Sequence, residues 1–355
     1  MITTINNKHK KLNAPNLRFP EFQGEWEEYR IEDITENISS GRCKSHSSSG
    51  KYNLYGSTGI IGKTNEACYE GNLVLVARVG ANAGSLQILN EPCGITDNTL
   101  IIKPKEVDAQ YIYYFLQHFN LNRLIFGSGQ PLITGGMLKK VKVSLGTIQE
   151  QNKITRLLSL LDERIATQSK VIDKLQSLIR GIAHKISKQG KPNIRLSECL
   201  ECSSTTLQES DVAEVGAYPV YGANGIVGYL DTYSTTKEAI YIIKDGSGVG
   251  SVSYVKGKCS ATGTLNILQA KEGYSLRYLY FMLKVFNFEP YKTGMAIPHI
   301  YFKDYRKAKI YCPNYELQNK CANLLYEIEQ KATIEQKILD NLCSQKQYLL
   351  RQMFI

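Results

Sequence analysis

The sequence predicts an α+β fold: two similar mixed α/β globules separated by two long antiparallel helices that form a coiled coil, a pseudo-twofold internal repeat. Three observations predict it. The chain repeats its own motifs at a nearly constant offset. Each repeat opens with short apolar runs broken by Gly, Asn, Ser and Pro. Each closes with a long stretch of seven-residue apolar periodicity.

The repeat is clearest where YNLYGSTGIIG, beginning at Tyr52, meets YPVYGANGIVG, beginning at Tyr218; Tyr, Tyr, Gly, Gly, Ile and Gly coincide. The offset of 166 also carries Gly80 to Gly246, Gly84 to Gly250 and Ser85 to Ser251. Upstream, RIEDI from Arg30 resembles RLSEC from Arg195. Downstream, QYIYYFLQ from Gln110 resembles RYLYFMLK from Arg277, and Pro131 maps to Pro298. LVLVARVG (Leu73 to Gly80) and AIYIIKDG (Ala239 to Gly246) read as buried strands that end at glycines. The Tyr-rich segments near Tyr111 and Tyr278 read as short amphipathic helices.

The long periodic stretches read as helices. From Gln149 to Ser187 there is no Pro, and Gly181 is the lone Gly. Ile154, Leu158, Leu161, Ile165, Ile172, Leu175, Ile179, Ile182 and Ile186 recur at alternating steps of four and three, with Gln168 in the gap. The last segment repeats the seam with Cys321, Leu325, Ile328, Ala332, Leu339, Leu342, Leu349 and Met353; Glu335 takes the place of Gln168 and Lys346 that of Ile179. Two such stripes in one chain most simply bury each other, although each could instead pack on its own globule. The expected division is a polar tail over 1–20, globules over 21–146 and 189–312, and spacer helices over 147–188 and 313–355.

A net charge of +10 favours a polyanionic partner, because each Lys or Arg that neutralises a phosphate releases a counterion. Nine scattered cysteines, an opening MITTINNKHKKLNAPN without an apolar stretch, and no run near 20 apolar residues predict reduced thiols, no membrane partner and a cytoplasmic location. Cys199 and Cys202 form one C-x-x-C, but neither they nor Cys43, Cys68 and Cys93 supply the second pair of a zinc site. No metal is expected.

Catalytic chemistry is missing from the sequence. GSTGIIGKT (Gly56 to Thr64) has five residues between its glycines where a phosphate loop has four, and its repeat partner lacks the Lys. GSGVG (Gly246 to Gly250) lacks the third glycine spacing of a dinucleotide fingerprint. The five histidines share no motif, and no nucleophile elbow, zincin, deaminase or [NDS]-P-P-[YF] signature occurs.

The candidate DNA-contacting residues lie near the glycine-rich loops. Lys63, Lys139, Lys140 and Lys142 of the first repeat, and Lys292, Lys303, Arg306, Lys307 and Lys309 of the second, suit phosphates, which position without specifying. Arg78 and Lys244 occupy matching strand ends, where an Arg reads guanine. Asn82 and Gln130 suit adenine; Ser128, Ser247 and His299 complete the candidate set. Leu157, Leu178, Leu324 and Ile338 lie off the seam and predict a surface that a partner covers.

RFPEFQGEWEEYRIEDI (Arg18 to Ile34) resembles the N-terminus of type I restriction-modification specificity subunits. VKVSLGTIQEQNKITRLLSLLDERI (Val141 to Ile165) and AKIYCPNYELQNKCANLLYEIE (Ala308 to Glu329) resemble the family's two junctions between recognition domain and conserved helix. Gly146-Thr147 stands where the family usually has prolines, and Glu329 where the first repeat has Asp162. The resemblance implies a non-catalytic, sequence-reading subunit of a methyltransferase and endonuclease complex, with two target-recognition domains, each reading half of a split site in double-stranded DNA. Two methyltransferase subunits would dock on it, hold S-adenosylmethionine and methylate adenine N6; motor-nuclease subunits would join for cleavage. This chain itself would hold no cofactor. The rival readings are a phosphate-loop ATPase with coiled-coil arms and a scaffold that binds protein rather than DNA.

Overall fold

The structure is a computed structural model that describes residues 3–4, 13–44, 49–125, 131–246, 248–294 and 297–355. It divides into two compact units, Met1–Thr167 with Ile338–Ile355, and Gln168–Lys337. Each long helix is thus shared between the units, where the sequence suggested separate spacers.

Unit 1 opens with β1 (Thr3–Thr4) paired to β2 (Leu17–Arg18), so the chain is already part of the fold before the expected tail boundary at residue 20. β3 (Glu27–Arg30) and β4 (Thr35–Ser40) flank a short 3-10 turn, and β5 (Tyr52–Gly56) with β6 (Gly59–Thr64) forms a hairpin. β7 (Leu73–Ala77), β8 (Leu86–Leu89), β9 (Cys93–Ile95) and β10 (Thr99–Pro104) complete two sheets, ordered β4-β10-β7-β8 and β6-β5-β9. Helices α1 (Ala109–Phe119) and α2 (Gly135–Lys139) lead to β11 (Lys142–Leu145), which pairs with β3, and then to α3 (Ile148–Ser187).

Unit 2 repeats this plan. After β12 (Ile194–Arg195) and the single turn α4 (Leu196–Cys199) come β13 (Leu200–Ser203), β14 (Tyr218–Gly222), β15 (Gly225–Leu230) and β16 (Ala239–Ile243). Then follow β17 (Val252–Val255), β18 (Ser260–Ala261), β19 (Leu265–Ala270), α5 (Leu276–Lys284), α6 (Phe302–Tyr305), β20 (Lys309–Ile310) and α7 (Tyr315–Met353). The sheets are β13-β19-β16-β17 and β15-β14-β18, with β12 on β20, the same orders strand for strand.

The central strands are apolar throughout because both faces are covered. Side chains alternate along a strand, so Val74 and Val76 of β7 join the core under α1, while Leu73 and Leu75 join a second core against the small sheet. β16 divides the same way: Ile240 and Ile242 face one core, Ala239 and Tyr241 the other. The Asp108 side chain caps α1 by accepting from Gln110 N, and Asn120 ends it at φ +58°.

The seam is real, and both expected destinations for it are used. In unit 1, Ile154 and Leu158 of α3 share one core with Leu350, Met353 and Phe354 of α7 and with Tyr111 and Phe115 of α1. In unit 2, Ile179, Ala183 and Ile186 of α3 meet Ala322 and Leu325 of α7. Leu161, Ile165, Ile328 and Leu349 are only half-buried, while Leu342 is buried. Within each unit the paired segments run antiparallel: Asp162 bridges Lys346 at 2.6 Å in unit 1, and Gln168 meets Glu335 in unit 2. Glu329 does the work of Asp162, since Tyr114 donates to Asp162 and Tyr280, one place earlier in its helix, donates to Glu329.

Gln168 Nε2 donates to the Glu335 carbonyl at 3.0 Å and to its carboxylate, which also pairs with Lys331. These partners hold the Glu335 carboxyl below the usual range. Its stabilising effect is therefore present above the carboxylate's unfolded pKa and is lost as pH falls through the lower folded one. Replacing both Gln168 and Glu335 with Leu should raise Tm and flatten the acid limb of the stability curve, because a well-packed apolar pair outperforms a polar layer. Equal Tm at neutral and acid pH in both proteins would show the layer to be inert.

Candidate nucleic-acid interface

One end of unit 1 gathers four chain segments. Arg78 follows β7; its N–H donates to Asn98 O (2.9 Å) and its carbonyl accepts from Ile133 N (2.9 Å). Gly80 N donates to Pro131 O at 3.1 Å, so residues 131–133 extend the edge of β7. The chain then turns through Ala81–Gly84 into β8, with Gly84 N closing on Ala77 O. Gly80 and Gly84 take φ +79° and +88°, a region in which a Cβ is penalised, which is why these positions are glycine. The tip of the β5–β6 hairpin adjoins this turn, since Gln87 Nε2 donates to Gly56 O.

Unit 2 repeats the backbone bonds of this rim. Lys244 N donates to Thr264 O (2.9 Å), Ile300 N to Lys244 O (2.8 Å), Gly246 N to Pro298 O (3.0 Å) and Gly250 N to Ile243 O (2.9 Å). Gly246 and Gly250 have φ +97° and +90°. The side chains offered there differ: Arg78 against Lys244, Asn82 against Gly248, Asn98 against Thr264. The hairpin tips also carry exposed Ile60 and Ile226 at matching places.

Arg78 is half-buried, and its Nε is enclosed without a hydrogen-bond partner among the described residues. A half-buried guanidinium with one unmatched donor is the kind of group that a ligand can satisfy. Asn82 is exposed in the turn, and His299 lies on the unit 2 rim, where it bridges Thr293 and Asp245 through the backbone. Ser128, Gln130 and Ser247 lie outside the described residues.

The candidate lysines mostly lie elsewhere. Thr99 of β10 pairs with Ala77 beside the rim, whereas Pro104 pairs with Thr35 at the far end; five steps of about 3.4 Å put these ends roughly 17 Å apart. Val141 O accepts from Ile31 N, so Lys140 and Lys142 sit by Ile31 at the far end, with exposed Lys139 next to them. Lys142 pairs with Glu28 at 2.7 Å, but both are exposed, so the pair is worth under about 1 kcal/mol and would yield to a phosphate. In unit 2, Arg306 O accepts from Ser197 N, which places Arg306, Lys307 and Lys309 at the corresponding far end. Lys303 stays nearer the rim, its ammonium 5.2 Å from the Tyr301 ring centroid, and Lys292 pairs with Glu289 at 2.6 Å.

Lys63 lies within β6, and its ammonium donates to Asn53 Oδ1 at 2.7 Å. Asn53 and Tyr55 both donate to Glu91, whose carboxyl they hold below its usual range. Hydrogen bonding to Glu91 and, above all, burial push the Tyr55 phenol up to about 12. Lys63 joins this network through Asn53, and β7 rather than a helix follows β6, so no helix N-terminus aims N–H groups at an anion and the phosphate-loop reading fails. Asn98 and Gln87 are rim residues that sequence reading passed over. The signal was available, because the offset of 166 continues through Cys93/Cys259 and Thr96/Thr262 to Asn98/Thr264.

Residues 23–177 and 192–343 each match the family described as the type I restriction modification DNA specificity domain. The chain belongs to that family. Two matched segments, one for each repeat, together cover most of the sequence. A protein of Mycoplasma genitalium named as a type I specificity subunit is 25% identical over 335 residues, covering 86% of this chain and 87% of its own. The Escherichia coli EcoprrI specificity subunit is 29% identical over 108 residues, covering 30% of this chain and 27% of its own. The crystal structure of an M. genitalium type I S subunit superposes with a TM-score of 0.72 at 20% identity, over 96% of this chain and 99% of that one. The fold of that subunit is therefore present throughout this chain.

Proposed function

We propose that this specificity subunit reads a bipartite site in double-stranded DNA, one half through each rim, and gives the address at which partner subunits act. The observation that carries this reading is the pair of rims built with the same hydrogen bonds but different side chains. A conserved scaffold with altered base-facing groups is what two different half-sites require. Arg78 is the base-reading candidate of unit 1. Lys303, nearer its rim, flanks it as a phosphate contact; Lys139, Lys140 and Lys307 lie at the far ends of the sheets and serve as phosphate contacts only where the duplex backbone extends that far.

The chain is a recognition component in this reading, without chemistry of its own. Two methyltransferase subunits dock on it and methylate adenine with S-adenosylmethionine, and motor-nuclease subunits join for cleavage in the cytoplasm. Exposed apolar side chains on the helices support docking: Leu160 of unit 1, and Leu178, Leu324 and Ile334 of unit 2. Leu157 is not among them, because it packs on the unit 1 core. Among the described residues no helix is long and apolar enough to cross a membrane.

Mapping methylated adenines genome-wide, with and without the gene for this chain, tests the reading. A split motif that vanishes on deletion is expected. An unchanged methylome, or a motif without a gap, would contradict it.

A further inference from the structure

A cleft of about 470 Å³ opens in unit 1 where β3, the turn after β10 and the first turn of α3 converge. It lies at the Pro104 end of the sheet, away from the rim. Glu25, Glu27, Asp33 and Glu106 line it. Its cations are Lys105 and Arg18, and Arg18 is already committed to Glu150 and to the carbonyls of Gln23 and Gly24. Glu27 accepts from Tyr29 and Asp33 from Arg30 N, while Glu25 and Glu106 have no hydrogen-bond partner among the described residues. Such a surface repels phosphate.

Gln151 supplies the second observation. It is 5% exposed and lines the cleft; its Nε2 donates to Gly146 O at 2.9 Å, and its Oε1 accepts from no group among the described residues. The repeat provides the internal comparison. In unit 2, Gln318 makes the same bond to Pro313 O (2.8 Å), but its Oε1 accepts from Ser275 N at 2.9 Å. The acceptor is satisfied in one unit and left open in the other. The preceding turn differs too: Glu106 stands at φ +60° where unit 2 has Gly273 at φ +85°. Unit 1 keeps a carboxylate in a conformation that favours glycine. Ile34, Val107, Leu145 and the 44% exposed Ile148 add an apolar wall.

We propose that this cleft receives a basic side chain, Arg or Lys, from a docked methyltransferase subunit. The stem lies on the apolar wall, and the head faces Glu25, Glu106 and the Gln151 oxygen. This rests on the reading that such subunits assemble on the chain. It makes the docking surfaces of the two units unequal, since only unit 1 offers the open acceptor.

The test measures binding of the purified methyltransferase subunit to the full chain and to E25Q/E106Q. A second variant, E209Q/E214Q, removes two exposed unit 2 carboxylates as a charge control. E25Q/E106Q should raise Kd about five- to tenfold near 0.05 M salt, with the difference collapsing near 0.5 M as screening removes the attraction. The control should bind as the natural chain does. Equal Kd for E25Q/E106Q and the natural chain, or equal weakening by the control, overturns the cleft proposal alone. No complex with the natural chain overturns the assembly reading and the cleft with it.

Discussion

Replacing Glu150 with Ala should destabilise unit 1 by about 3–5 kcal/mol, the usual cost of removing one member of a buried ion pair. Glu150 is fully buried in the first turn of α3. Its Oε1 accepts from Arg18 Nε (2.7 Å), and its Oε2 accepts from Arg18 Nη2 (2.9 Å) and Trp26 Nε1 (3.1 Å). The site sits at a helix N-terminus, which itself favours an anion. Gly146 permits the approach, because a Cβ there would collide with Glu150 and Trp26. Removing the carboxylate strands the Arg18 guanidinium, 5% exposed, in the interior. The double change Arg18→Met with Glu150→Leu should recover most of the loss, since it leaves no buried charge. Trp26 is the only tryptophan in the sequence, so urea unfolding followed by its fluorescence reads this site directly. A loss below about 1 kcal/mol for Glu150→Ala would place the pair in water-like surroundings and contradict its burial.

The second large effect concerns reading. Arg78→Ala should relax the preference at one base position, in the half-site read by unit 1, by about 1–3 kcal/mol, or roughly 5- to 150-fold. The other half-site should not change, and neither should the salt slope, because a base contact releases no counterion. Competition among duplexes varied one base at a time gives both quantities. Uniform weakening across all sequences with a shallower salt slope would make Arg78 a phosphate contact instead.

The contrast between these two sites explains what the sequence made legible. The duplication, the buried strands around Leu75 and Tyr241, the Tyr-rich helices and the Ile154–Ile186 seam follow from periodicity, and the fold bears each of them out. The glycines at 80, 84, 246 and 250 mark turns whose φ values demand them. The Arg18–Glu150–Trp26 cluster could not be read this way. Its members are up to 132 residues apart, and nothing local marks an Arg as buried. The partners of Lys63, Asn53 and through it Glu91, were equally hidden, because they come from a strand pairing that composition does not reveal. Lys139 and Lys140 follow a glycine-rich loop in the sequence, yet α2 carries them toward the end of the sheet opposite Arg78, a separation that closeness in sequence does not reveal.

The central claim is that each unit reads its own half of the site. Exchanging Gly190 to Cys312 for the same region of a relative with a different unit 2 rim, followed by methylome mapping, tests it most directly. One half of the motif should change to that of the relative, while the other half and the gap stay as they were. A change in both halves, or in neither, would contradict the account.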